Sequence, residues 1–130
     1  MNKIAEKQII NYIAEREIEE RRILSSSFNI VCEKITLKNN VAFVAKYYQN
    51  KKDEFNSIIS EANSLSYLSN ITSLVPKIKF NSDDLLIMDY IENNGIRSEN
   101  YQLTLANEIL KIHKNSNTKY GFKFAAQIGA

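Results

Sequence analysis

The chain has 130 residues, 44% of them hydrophobic and 25% charged, and its 17 basic residues against 15 acidic ones leave a net charge of +2. That is enough apolar material for about one domain with a modest core, and it excludes a disordered chain. The charge is too small and too evenly mixed to argue for a nucleic-acid or membrane surface, so any phosphate binding has to be local.

A single cysteine, Cys32, excludes an internal disulfide. The N-terminal residues lack the apolar core of a signal peptide and no apolar run approaches membrane-spanning length, so a reducing cytoplasm is the expected compartment. Along residues 1–15, Ala5, Ile9, Tyr12 and Ile13 share one side of a short amphipathic helix. Residues 16–24 are heavily charged, with Arg21 and Arg22 following glutamates, and the pattern leaves open whether they prolong that helix or begin a strand. Next comes Leu24-Ser25-Ser26-Ser27-Phe28-Asn29. A nucleotide-binding lobe would place a glycine-rich turn there, because only glycine lets backbone N–H groups approach phosphates so closely. Serine hydroxyls can also bond a phosphate, but the plainer reading of Ser25, Ser26 and Ser27 is an ordinary solvated turn.

Residues 28–37 are rich in β-branched and aromatic side chains, and Lys38-Asn39-Asn40 separates them from the run Val41 to Tyr48 as a hairpin turn would. Lys46 therefore lies on the second or third strand. Alternation puts it on the same face as Ala42 and Val44, where a charge is costly unless paired. From Asp53 onward, Ile58, Leu65 and Leu68 recur at helical spacing, and Glu61 falls inside that stripe. A lone strand lysine is more often a snorkelling edge residue, and a lone helix glutamate is as often at a boundary as buried. Two opposite charges on packed faces of consecutive elements are most simply reconciled if they meet.

Residues 71–76 carry the only proline, residues 77–80 form a short strand, and 81–84 a polar turn. Leu85 to Ile91 is a nearly continuous apolar run, which suits a strand covered on both faces. It leads into Glu92-Asn93-Asn94-Gly95, the best breaker cluster in the chain. Ser98 is a candidate N-cap for a last helix reaching about Lys114, with Leu103, Ala106, Leu110 and His113 on its packing face. His113, the only histidine, reads as a helix-end packing residue; no Cys/His cluster has metal-ligand spacing and no nucleophilic triad can be built.

In this order the features resemble the amino-terminal portion of the fructosamine (ketosamine) kinase family, relatives of aminoglycoside phosphotransferases with a protein-kinase-like fold. The likeness rests on Phe43-Val44-Ala45-Lys46, on Glu54-Phe55 through Glu61-Ala62 and Leu65, on Val75-Pro76, and on Leu85 to Ile91. It continues through Ile112-His113, Tyr120-Gly121-Phe122 and Gln127-Ile128-Gly129. The resemblance implies an α+β fold, a kinase-like N-terminal lobe whose five-stranded antiparallel sheet carries one packed helix, with a further helix at either end. It implies a lobe over residues 1–92, a hinge linker at 93–97 and the start of a truncated second lobe at 98–130. The activity implied is ATP- and magnesium-dependent phosphorylation of a sugar hydroxyl on a ketosamine. Lys46 would hold the α- and β-phosphates, Glu61 would fix Lys46, and the backbone of Asp89, Tyr90 and Ile91 would receive adenine.

The sequence departs from the family pattern in three places. Ser25 to Ser27 replace the glycine turn. Ala45 separates Val44 from Lys46 where relatives run Val-Lys directly, which predicts a bulge or an altered register. The family's His-Gly-Asp-Leu and later Asp-Pro motifs, which supply the catalytic base and the metal ligands, do not occur within the 130 residues. These residues are therefore expected not to turn over alone. The alternative expectation is a noncatalytic lobe that acts as a binding module and forms a homodimer through its truncated face. A nucleic-acid-binding domain is a third and weaker reading, because the basic residues form no stripe with interleaved aromatics.

Overall fold

The structure is a computed structural model that describes residues 2–92 and 99–114. Helix α1 (Lys3–Ile13) begins where the Asn2 side chain accepts from the Ala5 N–H, and it buries Ala5, Ile9 and Ile13 at intervals of four. The same Asn2 amide donates to the Tyr48 carbonyl at 2.8 Å, which ties the helix start to the sheet. Strands β1 (Ile18–Ser27), β2 (Ile30–Leu37) and β3 (Ala42–Tyr48) follow as an antiparallel meander. Helix α2 (Ser57–Ser69) crosses to β4 (Ile78–Asn81) and β5 (Leu85–Asp89), and α3 (Tyr101–Lys114) comes last.

The five strands lie in the order β1-β2-β3-β5-β4, every neighbouring pair antiparallel. β5 thus inserts beside β3, and these strands are covered on both faces. Alternate residues of the sheet feed separate cores. On one face, Ile9 and Ile13 of α1 pack on Ile35, Leu37, Phe43, Ala45, Leu85 and Ile87. On the other, Ile58 and Ala62 of α2 pack on Val44, Tyr48, Leu86 and Met88. Each large aliphatic side chain that is fully buried contributes about 1.5–3 kcal/mol. Leu85, Leu86 and Ile87 are all 0% exposed, which explains the unbroken apolar run of β5.

The result is the expected α+β architecture, with α1 covering the face opposite α2. Of the alternatives left open by the pattern, the charged residues after α1 take the strand, which makes Lys46 a β3 residue. Other local details differ from the sequence expectations. The first turn falls at Phe28-Asn29, not at the serines: Ser27 pairs with Ile30, and Phe28 and Asn29 both take positive φ, 50° and 63°. This is the two-residue hairpin whose twist matches its strands. The bulge expected around Ala45 is absent, because β3 keeps an unbroken register with β2 and with β5. Shifts occur instead in β1, between Ile18 and Glu20 and between Ile23 and Ser25, and between β4 and β5 at Ile78/Phe80. β5 ends at Asp89, leaving Tyr90 and Ile91 beyond the ladder.

Helix α2 starts at Ser57, later than the pattern from Asp53 suggests, because Asn56 caps it by accepting from Ile58 and Ile59. On α3 the expected packing face is not covered. Leu103 is 63% exposed and Leu110 48%, His113 is exposed, and the buried position is Glu108. The proposed Ser98 cap, the linker at 93–97, Tyr120-Gly121-Phe122 and Gln127-Ile128-Gly129 lie outside the described residues.

Candidate functional site

Lys46 and Glu61 meet. The Lys46 ammonium donates to Glu61 Oε1 at 2.7 Å, with the side chains 26% and 35% exposed respectively. Such a half-exposed pair adds about 1 kcal/mol or less to stability. Its geometric consequence is larger, since it fixes the ammonium while leaving it open to a ligand. The end of β3 positions the partner helix directly. Tyr48, fully buried, accepts the Ser57 N–H on its hydroxyl at 2.8 Å, so the strand that carries Lys46 also holds the first turn of α2. Glu61 follows one helical turn later and points back at the sheet.

Register places the neighbours of Lys46. It stands opposite Cys32 of β2 and Leu86 of β5, and Cys32 stands opposite Ser25 of β1. Burial pushes the Cys32 thiol up, and the nearby Lys46 charge only partly opposes that, so the thiol is protonated at neutral pH. The three serines are not brought together as a cradle. Ser25 and Ser27 face the Lys46 side, whereas Ser26, opposite Val31, faces away and donates to the Gln49 side chain at 3.5 Å.

At the far end of the face, Tyr90 packs against the α2-side core, and the Lys34 ammonium lies 4.0 Å from its ring centroid. Asp89 points to the other side: it stands opposite Phe43, and its carboxylate lies 3.4 Å from the Lys79 ammonium. The Asp89 N–H is already committed to the Lys77 carbonyl at 3.0 Å, whereas Ile91 is 59% exposed. The Asp89 amide is thus occupied within the sheet, while Tyr90 and Ile91 lie past the last pair of the ladder. Among the described residues no three His, Cys, Asp or Glu side chains are grouped so as to hold a metal ion.

Under the α1 face lies a cluster that the sequence did not announce. Arg21 makes a bidentate contact with Glu6 of α1, at 2.6 and 3.0 Å, and a second one with Glu33 of β2, which also accepts from the Tyr47 hydroxyl at 2.9 Å. Hydrogen bonds to Glu33 and Glu6 hold the Arg21 guanidinium still more firmly protonated than usual, against the opposing effect of burial. Glu33 is 3% exposed. One signal could have found it: Glu33 shares the alternation of Val31, Ile35 and Leu37, all buried. The cluster locks α1 and β1 to the middle of the sheet.

A five-stranded antiparallel sheet whose third strand carries a lysine paired to a helix glutamate is the arrangement of the N-terminal lobe of a kinase-like fold. In overall fold the chain resembles a Thermobifida fusca protein provisionally designated a fructosamine-3-kinase, with a TM-score of 0.62 and 16% identity over 83% of this chain. It also aligns with an ethanolamine kinase from Plasmodium vivax, with a TM-score of 0.49 and 15% identity over 88% of the chain. It spans 38% and 31% of the lengths of those proteins. No curated protein matches the sequence. The family model for fructosamine kinase matches residues 1–130, and the chain belongs to that family.

Proposed function

We propose that this chain is the nucleotide-binding side of an ATP-dependent kinase that phosphorylates a sugar hydroxyl of ketosamines, the adducts of sugars with amines. The observation that carries the reading is the 2.7 Å contact between Lys46 and Glu61, in a chain of the fructosamine kinase family. Lys46 neutralises the α- and β-phosphates and Glu61 holds its ammonium in place. The backbone of Tyr90 and Ile91 receives the adenine edge. Residues 1–92 form the nucleotide-side lobe, 93–97 the hinge and 98–130 the beginning of the second lobe. A reducing cytoplasm suits the free Cys32.

The described residues fit the nucleotide but not magnesium, for which they offer no acidic cluster. What the lobe contributes to phosphoryl transfer is positioning and charge neutralisation. Calorimetric titration with Mg-ATP tests the reading. Lys46→Ala is expected to abolish measurable binding while the circular dichroism spectrum stays that of the parent. Unchanged affinity in the folded variant would overturn it.

A further inference from the structure

The face that carries Lys46 holds two more cations, Arg22 and Lys34, set against each other with only the Tyr90 ring beside one of them. Arg22 and Lys34 are directly opposite in the β1–β2 register. Neighbouring Arg21 is turned to the α1 side, where it holds Glu6 and Glu33, so Arg22 points to the α2 side. Lys34 points there too, since its ammonium reaches the Tyr90 ring at 4.0 Å. Like charges directly opposite in an antiparallel ladder repel. Among the described residues neither Arg22 nor Lys34 has a carboxylate within salt-bridge distance, in contrast to Lys46 and Arg21 on the same three strands.

Lys34 is also close to the paired lysine. It stands opposite Val44, two residues before Lys46 on β3, which makes Lys34 and Lys46 diagonal neighbours roughly 7–8 Å apart at the backbone. Together the three cations form a short arc, with Lys46 fixed by a glutamate and Lys34 held over an aromatic ring. An ammonium over an aromatic ring is held loosely, and a phosphate oxyanion is the stronger partner.

We infer that Lys34, supported by Arg22, is a second phosphate contact for a nucleoside polyphosphate, one that leaves the Tyr90 ring when the ligand binds. The inference rests on the ATP-site reading and deepens it. It also accounts for the missing cradle. In this hairpin the turn lies beyond the serines and the serine side chains alternate between faces, so their hydroxyls do not converge on one phosphate. Charged side chains on β1 and β2 supply the neutralisation that the serines do not.

The test is titration of the full 130-residue chain with ATP, ADP and AMP, each at two salt concentrations. Lys34→Gln is expected to weaken ATP and ADP about tenfold or more while changing AMP less than twofold, and to flatten the salt dependence of ATP binding. Lys34→Arg is expected to restore most of the affinity. Ligand-free Arg22→Gln is expected to melt no lower than the parent, since it removes a repulsion, while binding ATP more weakly; a merely structural residue would lower stability instead. If Lys34→Gln binds ATP within twofold of the parent while Lys46→Ala does not bind, the inference fails and the ATP-site reading stands. If the parent binds none of the three nucleotides, both fail.

Discussion

Replacing Arg21 by methionine tests how the α1 face is held together. The substitution keeps an apolar stem of similar length but removes both bidentate contacts. Glu33, whose side chain is 4% exposed, would be left with the Tyr47 hydroxyl, at 2.9 Å, as its remaining hydrogen-bond donor among the described side chains. Breaking a buried ion pair from one side costs about 3–5 kcal/mol. The low end applies here, because Tyr47 still donates and the Arg21 and Glu6 side chains are each 26% exposed, so water already screens part of the Glu6 contact. The expected loss is about 3 kcal/mol, a large share of the roughly 5–15 kcal/mol that stabilises a typical domain. It corresponds to a melting temperature lower by roughly 10 °C. Urea unfolding followed by far-ultraviolet circular dichroism at neutral pH measures it directly. The double variant Arg21→Met, Glu33→Leu removes the stranded charge and is expected to recover most of the loss. A single variant within about 0.5 kcal/mol of the parent would refute the reasoning, as would a double variant no better than the single one.

The remaining predictions concern single groups. Burial, and then the hydrogen bond to Glu33, push the Tyr47 hydroxyl from its ordinary 10.0 up to about 12. Its folded pKa is raised, so the stability it contributes is complete below pH 10 and is lost as pH rises toward 12. Ultraviolet titration of tyrosinate should show that Tyr47→Phe removes a step near pH 12; removal of a step near 10 would contradict the buried bond. Glu108 is held at about 2, below its ordinary 4.5, first by Lys111 and then by Thr72, with the Ser73 N–H adding to both. A lowered carboxyl stabilises above its unfolded value, so the tie between α3 and the segment after α2 should weaken as pH falls from 4.5 toward 2, read as a falling protection factor at the Ser73 amide. Constant protection across that range would count against the tie. Phe28→Gly should raise stability by about 0.5–1 kcal/mol, because Phe28 holds a φ of 50° that suits glycine and its side chain is 63% exposed. A lower melting temperature in that variant would show that the ring has a packing role.

Sequence patterns revealed what is periodic and local. The alternation through Phe43, Val44 and Ala45 placed Lys46 on a packed face, and the spacing of Ile58, Glu61 and Leu65 aimed the carboxylate toward it; the contact itself required only that the two elements be adjacent. The unbroken run of β5 announced its burial on both sides. What could not be read depends on partners distant in sequence. Arg21 looked like one charge in a charged stretch, since its value comes from Glu6 and Glu33, 15 and 12 residues away. The first turn was misplaced because Ser25 to Ser27 are ordinary turn residues, whereas the bend uses Asn29, which tolerates a left-handed backbone, and Phe28, which does so at a cost. Helix α3 shows the reverse failure. Its apolar face is real in the sequence, but the contact that ties it down is made by a glutamate.

The unbroken ladder between β3 and β5 also acts as a ruler. Lys46 stands level with Leu86, and Tyr90 follows one residue past the ladder's last pair at Asp89, so four residues of extended backbone set the two levels about 13 Å apart. Rotamers and helix shifts do not alter that interval. A one-residue deletion between Leu86 and Tyr90 would shorten it by about 3.3 Å and turn the following side chains to the opposite face of the sheet. The hairpin loops can vary in length without touching the interval, whereas this stretch of β5 cannot. In homologous chains, gaps are therefore expected to collect at the turns and to avoid residues 86–90.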